Sequence, residues 1–222
     1  MSCTKTSEVF KGGISLKEKL KVQLQAMDPK ETVAGIEQKC EFAKEQGYGA
    51  IEVPQWFVSY AKEKLLGSKV MVSTCVGLPG GESSTFAKYA EVKQAVANKA
   101  DEVSIPVNMS FINEKKISEA KNDFNEVMSM AKGKSKIKAI LEFGLVDTIL
   151  MKDSLNMLLE LNVDTVVLSS VVTGKSIDKK YVSKVKNQIK MTELMILGCI
   201  LSENDAEEYI NSGADRVALS RV

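Results

Sequence analysis

Asn162-Val-Asp-Thr-Val-Val-Leu168 combines a small polar residue with a short run of apolar, mostly β-branched residues. The same pattern recurs in three other segments: Gln46-Gly-Tyr-Gly-Ala-Ile-Glu-Val53, Asn98-Lys-Ala-Asp-Glu-Val-Ser-Ile105 and Ser212-Gly-Ala-Asp-Arg-Val-Ala-Leu219. Glycine and asparagine readily end a helix, and β-branched residues favour strands. Each of the four segments therefore predicts a helix that ends and a strand that follows.

Four further runs have the character of strands, at residues 21–27, 69–76, 137–143 and 194–197. Helical segments are predicted between the strands, at residues 84–98, 118–130 and 202–211. In the first of them the apolar residues recur at helical spacing: Phe86, Tyr89, Val92 and Val96. An earlier helix is expected to open at Asp28-Pro-Lys-Glu-Thr32, with the proline near its first turn.

Eight strands that alternate with helices predict an α/β protein, a single (β/α)8 TIM barrel domain spanning residues 1–222. The 222 residues leave roughly 25–28 for each strand–helix unit, as a compact barrel requires. A doubly wound open sheet is the alternative, but the sequence lacks the GxGxxG turn that usually accompanies it. A barrel would place the functional residues at the C-terminal ends of its strands.

The composition excludes several kinds of function. Thirty basic and 29 acidic residues give a net charge of +1, so bulk charge favours neither nucleic acid nor an anionic membrane as a partner. The absence of histidine removes the usual general base, Ser-His and Cys-His nucleophile pairs, and His-ligated zinc. The four cysteines form no CxxC pair, and we expect neither a metal nor a cofactor.

The scattered cysteines are typical of reduced thiols in the cytoplasm, which is the expected location. Residues 1–11 contain no apolar stretch of the signal-peptide kind, and no apolar run approaches the roughly 20 residues that span a bilayer. Cys75 is expected to be a buried, small apolar residue. Cys199 is a possible thiol nucleophile but has no histidine partner. Trp56 and Phe57 are expected either to cap the barrel mouth or to contact another subunit.

The longest motif is Thr74-Cys-Val-Gly-Leu-Pro-Gly-Gly-Glu-Ser-Ser-Thr-Phe-Ala-Lys88, followed by Glu91. Ala100-Asp-Glu-Val-Ser-Ile-Pro-Val-Asn108, Lys138-Ala-Ile-Leu-Glu142 and the segment 202–220 follow it in order. Together these motifs resemble the deoxyribose-phosphate aldolase family over most of the chain. The resemblance implies a TIM barrel and a class I aldolase, which joins acetaldehyde to glyceraldehyde 3-phosphate through a lysine Schiff base.

The resemblance also implies that the catalytic positions are substituted. It places Val167 where the family has its nucleophilic lysine, Met195 where it has the second lysine, and Ser104 where it has the proton-relaying aspartate. Valine and methionine cannot form an imine, and no shift of one or two residues brings a lysine onto either strand. The sequence therefore predicts a divergent or inactive homologue.

A modified phosphate site is implied in the same way, because family members bind the substrate phosphate at turns that follow the last three strands. Gly174, Lys175, Gly198 and Ser220 occupy these turns and are the predicted phosphate-binding residues. The segment 169–176 also approaches the P-loop pattern GxxxxGK[ST]. Since Ser169 replaces its first glycine, an ordinary loop after a strand is the favoured interpretation.

Polar residues on the strands could replace the lost catalytic groups. Lys138 and Glu142 share one strand face, as do Glu102 and Ser104, and Glu52 could meet them inside a barrel. They could form a rebuilt acid–base or imine site centred on Lys138. The favoured alternative is a structural Lys–Glu ion pair in the lower layers of the barrel, because buried ion pairs are often structural.

Two functions remain open at this stage. The first is a binding or regulatory protein that keeps the barrel and a residual small-phosphate pocket. The second is an active aldolase or lyase on deoxyribose 5-phosphate or another small sugar phosphate, with relocated catalytic groups. A small phosphorylated sugar or aldehyde is the expected ligand, and the resemblance implies a homodimer.

Overall fold

The computed structural model describes residues 16–198 and 200–220. Within them, eight parallel strands close into a barrel in sequence order, because β1 pairs with both β2 and β8. The strands are β1 (Val22–Gln25), β2 (Ala50–Glu52), β3 (Met71–Cys75), β4 (Glu102–Pro106), β5 (Lys136–Glu142), β6 (Thr165–Ser169), β7 (Glu193–Leu197) and β8 (Arg216–Leu219). The predicted TIM barrel is confirmed.

Helices surround the barrel: α1 (Leu16–Lys19), α2 (Val33–Gln46), α3 (Val58–Lys64), α4 (Thr85–Ala97), α5 (Met109–Asn113), α6 (Ile117–Ser129), α7 (Thr148–Glu160), α8 (Lys179–Ile189) and α9 (Glu203–Asn211). Side-chain oxygens at several helix starts accept hydrogen bonds from backbone N–H groups that have no partner within the helix. Ser84 caps α4 in this way, Asp147 caps α7 and Ser202 caps α9.

One sequence prediction about the helices was wrong in detail. The helix expected to open at Asp28 begins only at Val33, since Thr32 is its N-cap and Pro29 lies in the preceding turn.

The apolar spacing in residues 84–98 indicated a helix correctly. The face that α4 buries consists of Lys88, Val92 and Ala95, whereas Phe86 is 80% exposed.

Alternation along each strand sorts the side chains into two cores. On β6, Val166 and Leu168 point outwards into the large hydrophobic core between barrel and helices. Val167 points inwards, to a small second cluster with Ile140, Met195 and Ala218. On β5 to β8, this inner cluster lies between a charged lower layer of the barrel and the barrel mouth.

None of the helices in the described part of the chain combines the length and the apolar character needed to cross a lipid bilayer.

Candidate functional site

A pocket of about 280 Å³ opens at the C-terminal ends of the strands. Its walls are largely apolar and include Leu78, Pro106, Met109, Ile140, Val171 and Leu197. The polar residues that line it are Gln25, Glu52, Cys75, Glu142 and Ser169. Among the described residues, no lysine or arginine lines this pocket. Its position is that of the active site in TIM-barrel enzymes, but its chemistry is apolar and acidic.

Hydrocarbon occupies the centre of the barrel below the mouth. The Val167 and Met195 side chains are 2% and 1% exposed and contact Ile140 and Ala218. Val167 and Met195 are register partners on β6 and β7. The two positions predicted from the resemblance as substituted lysine positions therefore lie side by side and carry no amine.

Lys138 lies in the lower layer, fully buried inside the barrel. Its Nζ donates a hydrogen bond to Gln23 Oε1 at 2.6 Å and lies 3.4 Å from both Glu52 Oε1 and Glu102 Oε2. Although Glu142 follows Lys138 on the same strand face, no ion pair joins the two. The lysine is held by Glu102 of the neighbouring strand β4 and by Glu52 of β2, which lies further round the barrel.

Glu52 connects this charged layer to the floor of the pocket. Its Oε1 accepts hydrogen bonds from Ser104 Oγ at 2.5 Å and Ser73 Oγ at 3.1 Å, and its Oε2 accepts one from Gln25 Nε2 at 2.9 Å. Burial raises the pKa of Glu52, but the Lys138 charge and these hydrogen bonds outweigh burial and hold the pKa below its usual value. Ser104, predicted at the position of the family's aspartate, serves here as a donor to Glu52.

Arg216 completes the lower layer. Its guanidinium donates to both oxygens of Glu102 at 2.8 and 2.7 Å and lies 3.2 Å from Glu193. Burial raises the pKa of Glu102, but Lys138 and Arg216 more than offset that effect and leave the pKa lowered. Two cations and three carboxylates thus form one network, which fills the barrel below the hydrocarbon cluster.

This network makes stability depend on pH in a definite direction. The pKa values of Glu52 and Glu102 are lowered in the folded state, so their contribution is complete above the unfolded value of about 4.3 and is lost as pH falls through the folded values. We expect the free energy of unfolding, measured with urea, to be similar at pH 7 and 5 and to drop below about pH 4. Glu102→Gln should be less stable at pH 7 and show a smaller drop. Equal acid sensitivity in both proteins would contradict this.

Glu142 lies two layers above Lys138 on β5, beyond Ile140, at the wall of the pocket, and is 5% exposed. Its Oε1 accepts hydrogen bonds from the backbone N–H groups of Val172 at 2.7 Å and Thr173 at 3.3 Å. Within residues 16–198 and 200–220 it has no ion-pair partner, and its Oε2 accepts no hydrogen bond. Its carboxylate is the one acidic group of the pocket that lacks a cation among the residues described.

Cys75 differs from the sequence prediction. It was expected to be a buried core residue, but it is only partly buried and lines the pocket. Burial raises the pKa of its thiol well above 9, and Glu52 adds to that effect. A thiol with a raised pKa is a weak nucleophile at neutral pH, because the thiolate is the reactive form.

Lys88 and Glu91 hold the turn 77–81, which forms one rim of the pocket. The buried Lys88 donates from Nζ to the Gly81 carbonyl at 2.8 Å and to Asp123 Oδ2 at 2.5 Å. Glu91 Oε2 accepts a hydrogen bond from Gly77 N at 2.7 Å. Gly81 needs its φ of +80°, and a Cβ there would lie 2.6 Å from the Pro106 carbonyl oxygen. The lysine and glutamate of the motif thus position the loop.

The predicted phosphate-binding residues lie apart from the pocket. In the loop after β6, the N–H groups of residues 171–174 are already used: Ser169 Oγ accepts the first, Glu142 the next two and the Ser170 carbonyl the last. Lys175 follows Gly174 on the exposed side of this loop. The loop therefore has the form of an ordinary βα connection, and its phosphate-binding role stays a prediction.

Gly198 and Ser220 lie together at the ends of β7 and β8, where Ser220 Oγ donates to the Gly198 carbonyl at 2.8 Å. Gly198 lacks room for a side chain, since a Cβ would lie 2.4 Å from Ser170 Oγ. Ser220 borders a neighbouring pocket that is also lined by Asp28, Glu31 and Lys39, and Lys39 pairs with Glu31. The phosphate-binding role of Gly198 and Ser220 stays a prediction.

Trp56 is 84% exposed and does not line the pocket, so it does not cap the barrel mouth. Cys199, considered as a nucleophile, lies outside the described residues. Sequence reasoning missed Lys88, Gln23 and Arg216 as members of buried polar contacts. Alternation with Ala218 on β8 could have shown that Arg216 points inwards; no comparable signal marks Lys88.

The fold and the position of the pocket define the class of protein as a TIM barrel with its candidate site at the C-terminal ends of the strands. No family model matches the chain. The deoxyribose-phosphate aldolase of Clostridium novyi strain NT is 30% identical over 198 residues, 87% of this chain and 88% of that one. The deoxyribose-phosphate aldolase of Malacoplasma penetrans strain HF-2 is 28% identical over 194 residues, with 87% of each chain covered.

The chain belongs to the deoxyribose-phosphate aldolase family. The solved tetrameric deoxyribose phosphate aldolase from Aeropyrum pernix has the same fold, with a TM-score of 0.82 and 20% identity over 92% of this chain and 87% of that one. Membership in a family does not by itself establish an activity, which has to be argued from the residues at the site.

Proposed function

We propose that this protein is a divergent member of the deoxyribose-phosphate aldolase family that performs no Schiff-base chemistry and acts by binding a small molecule. The observation that carries the proposal is the hydrocarbon centre of the barrel, where Val167 and Met195 lie side by side. An imine requires an amine that reaches the substrate carbonyl, and neither side chain has one.

The surroundings of Lys138 count against an active enzyme with relocated groups. A Schiff-base lysine has to be unprotonated and accessible, whereas Lys138 is fully buried between two carboxylates. Glu52 and Glu102 both pair with this cation, and Glu102 also pairs with Arg216, so they are not free to act as general bases.

The ligand follows from the pocket that remains. The family resemblance led us to expect a phosphorylated sugar or an aldehyde. A sugar phosphate would need a cation or free backbone N–H groups, and the pocket is lined by neither a lysine nor an arginine among the described residues. An apolar pocket with few polar groups is a common form of small-molecule site, and we propose a binding or regulatory role for this one.

We further propose a homodimer. The support is the family resemblance, and two large aromatic side chains, Trp56 at 84% and Phe86 at 80% exposed, are accessible for a subunit contact. Light scattering after size exclusion measures the assembly directly.

The experiment that tests the proposed function is a coupled assay for acetaldehyde released from deoxyribose 5-phosphate. We expect the wild-type chain to give the rate of a blank without enzyme, and Val167→Ala to give the same rate. The aldolase of Clostridium novyi is the reference for an active preparation. Release above the blank that purifies with this chain would contradict the proposal.

A further inference from the structure

The pocket holds one carboxylate that has no counter-ion in the part of the chain that the structure describes. The Glu142 carboxylate is 5% exposed, lies against the apolar wall and pairs with no lysine or arginine among the described residues. Two backbone N–H groups, those of Val172 and Thr173, bind its Oε1 and leave Oε2 unused. A nearly buried charge is costly unless it is paired, so this oxygen is a natural position for a ligand donor.

The second carboxylate of the pocket is in a different state. Glu52 has Lys138 beside it and hydrogen bonds to both of its oxygens. It cannot accept a further strong donor without losing one of these contacts. It still adds negative potential at the floor, which repels an anion and attracts a cation. Thus one acidic group is free to bind and the other reinforces the sign of the field.

Apart from Gln25, Cys75 and Ser169, the rest of the surface that lines the pocket is largely hydrocarbon. Ile140 and Leu197 form the side nearest the inner cluster, and Leu78, Val171 and Val172 form an apolar rim that extends into solvent. A ligand that fills this space therefore needs an apolar body. A volume of about 280 Å³ suits a compact molecule rather than a long chain.

From these observations we infer that the pocket binds a small amphiphilic amine, with its apolar body among these side chains and its ammonium group on Glu142 Oε2. This deepens the proposed function by naming the class of ligand for the same pocket, and it rests on that proposal. The ammonium group supplies the missing counter-ion, and its hydrogen bond to a carboxylate is of the stronger, charge-assisted kind.

A matched ligand series tests the inference. Calorimetric titration of the full chain uses benzylamine, benzyl alcohol, benzoate and benzyl phosphate, which share one ring and differ in the charged or polar group. We expect benzylamine to bind at least about tenfold more tightly than benzyl alcohol, as a charge-assisted hydrogen bond allows. Benzoate and benzyl phosphate should bind more weakly than the alcohol.

Two variants locate the charge. Glu142→Gln keeps an acceptor for Val172 N and should reduce benzylamine binding to the level of benzyl alcohol, while alcohol binding stays unchanged and reports an intact pocket. Glu82→Gln removes an exposed carboxylate that directly follows the turn 77–81 and does not line the pocket, and it should leave the amine affinity unchanged. Absence of binding by any compound, tighter binding of benzyl phosphate or benzoate, or an unchanged amine affinity in Glu142→Gln would each overturn the inference.

The outcome is independent of the test of the proposed function. Acetaldehyde release would end the claim of lost aldol chemistry whatever the titrations show. Tighter binding of benzyl phosphate in a chain that releases no acetaldehyde would overturn only the ligand class.

Discussion

Replacing Lys138 by alanine lowers the free energy of unfolding by about 3–5 kcal/mol, the range measured when one partner of a buried ion pair is removed. The reason is that Glu52 and Glu102 lose the cation that lies 3.4 Å from each, while both stay inside the barrel. Gln23 also loses the donor of its 2.6 Å hydrogen bond. Urea unfolding of both proteins at pH 7 measures the difference.

Two further variants make this result specific. Lys179→Ala breaks an ion pair with Glu208 in which both side chains are about half exposed, and it should barely change stability. Combining Lys138→Ala with Glu52→Gln should recover part of the loss, because it removes one of the orphaned charges. If Lys138→Ala and Lys179→Ala were equally stable, the structural role of the charged layer would be refuted.

Replacing Lys88 by alanine is the second change with a large expected effect, again about 3–5 kcal/mol. Lys88 is 1% exposed, and its loss leaves Asp123 buried without its cation. Thr85 Oγ1, which donates to Asp123 at 2.6 Å, cannot neutralise that charge. The Gly81 carbonyl also loses its lysine donor, so the turn 77–81 should become more mobile. Urea unfolding measures the first effect and amide hydrogen exchange the second.

The control for Lys88 lies on the same helix. Lys93 is exposed on α4, so Lys93→Ala changes the net charge equally without opening a buried pair. Combining Lys88→Met with Asp123→Asn should be less harmful than Lys88→Met alone, because no unpaired charge then remains. If Lys88→Ala lowered the free energy of unfolding no more than Lys93→Ala does, the buried pair of Lys88 and Asp123 would not stabilise the protein, which would contradict the prediction.

The order of the barrel strands could be predicted because it depends on local patterns. A small polar residue followed by β-branched residues marks each helix-to-strand junction, and alternation on β6 alone shows that Val166 and Val167 face opposite sides. The apolar centre of the barrel can therefore be predicted once β6 is recognised as a strand. The ends of the strands were predicted less accurately than their order. The first strand was predicted over residues 21–27 and extends over Val22–Gln25.

The sequence brought Lys138, Glu102 and Glu52 together inside the barrel, but it could not supply the full set of partners. Spacing along β5 relates Lys138 to Glu142, whereas the lysine pairs with Glu102 and Glu52, and the other members of the network, Gln23 and Arg216, come from β1 and β8, which barrel closure brings to them. The burial of Lys88 could not be predicted for a different reason. The spacing of apolar residues gives no information about a lysine, and Lys88 is buried because it pairs with Asp123 on a separate helix.

The central claim is that no amine in this barrel forms an imine with substrate. The most direct measurement is incubation with deoxyribose 5-phosphate and sodium borohydride, followed by the intact mass of the chain. The account predicts an unchanged mass, because the centre of the barrel presents Val167 and Met195 and Lys138 is sealed below them. A stable adduct that peptide mapping assigns to Lys138, or to any other lysine, would contradict it.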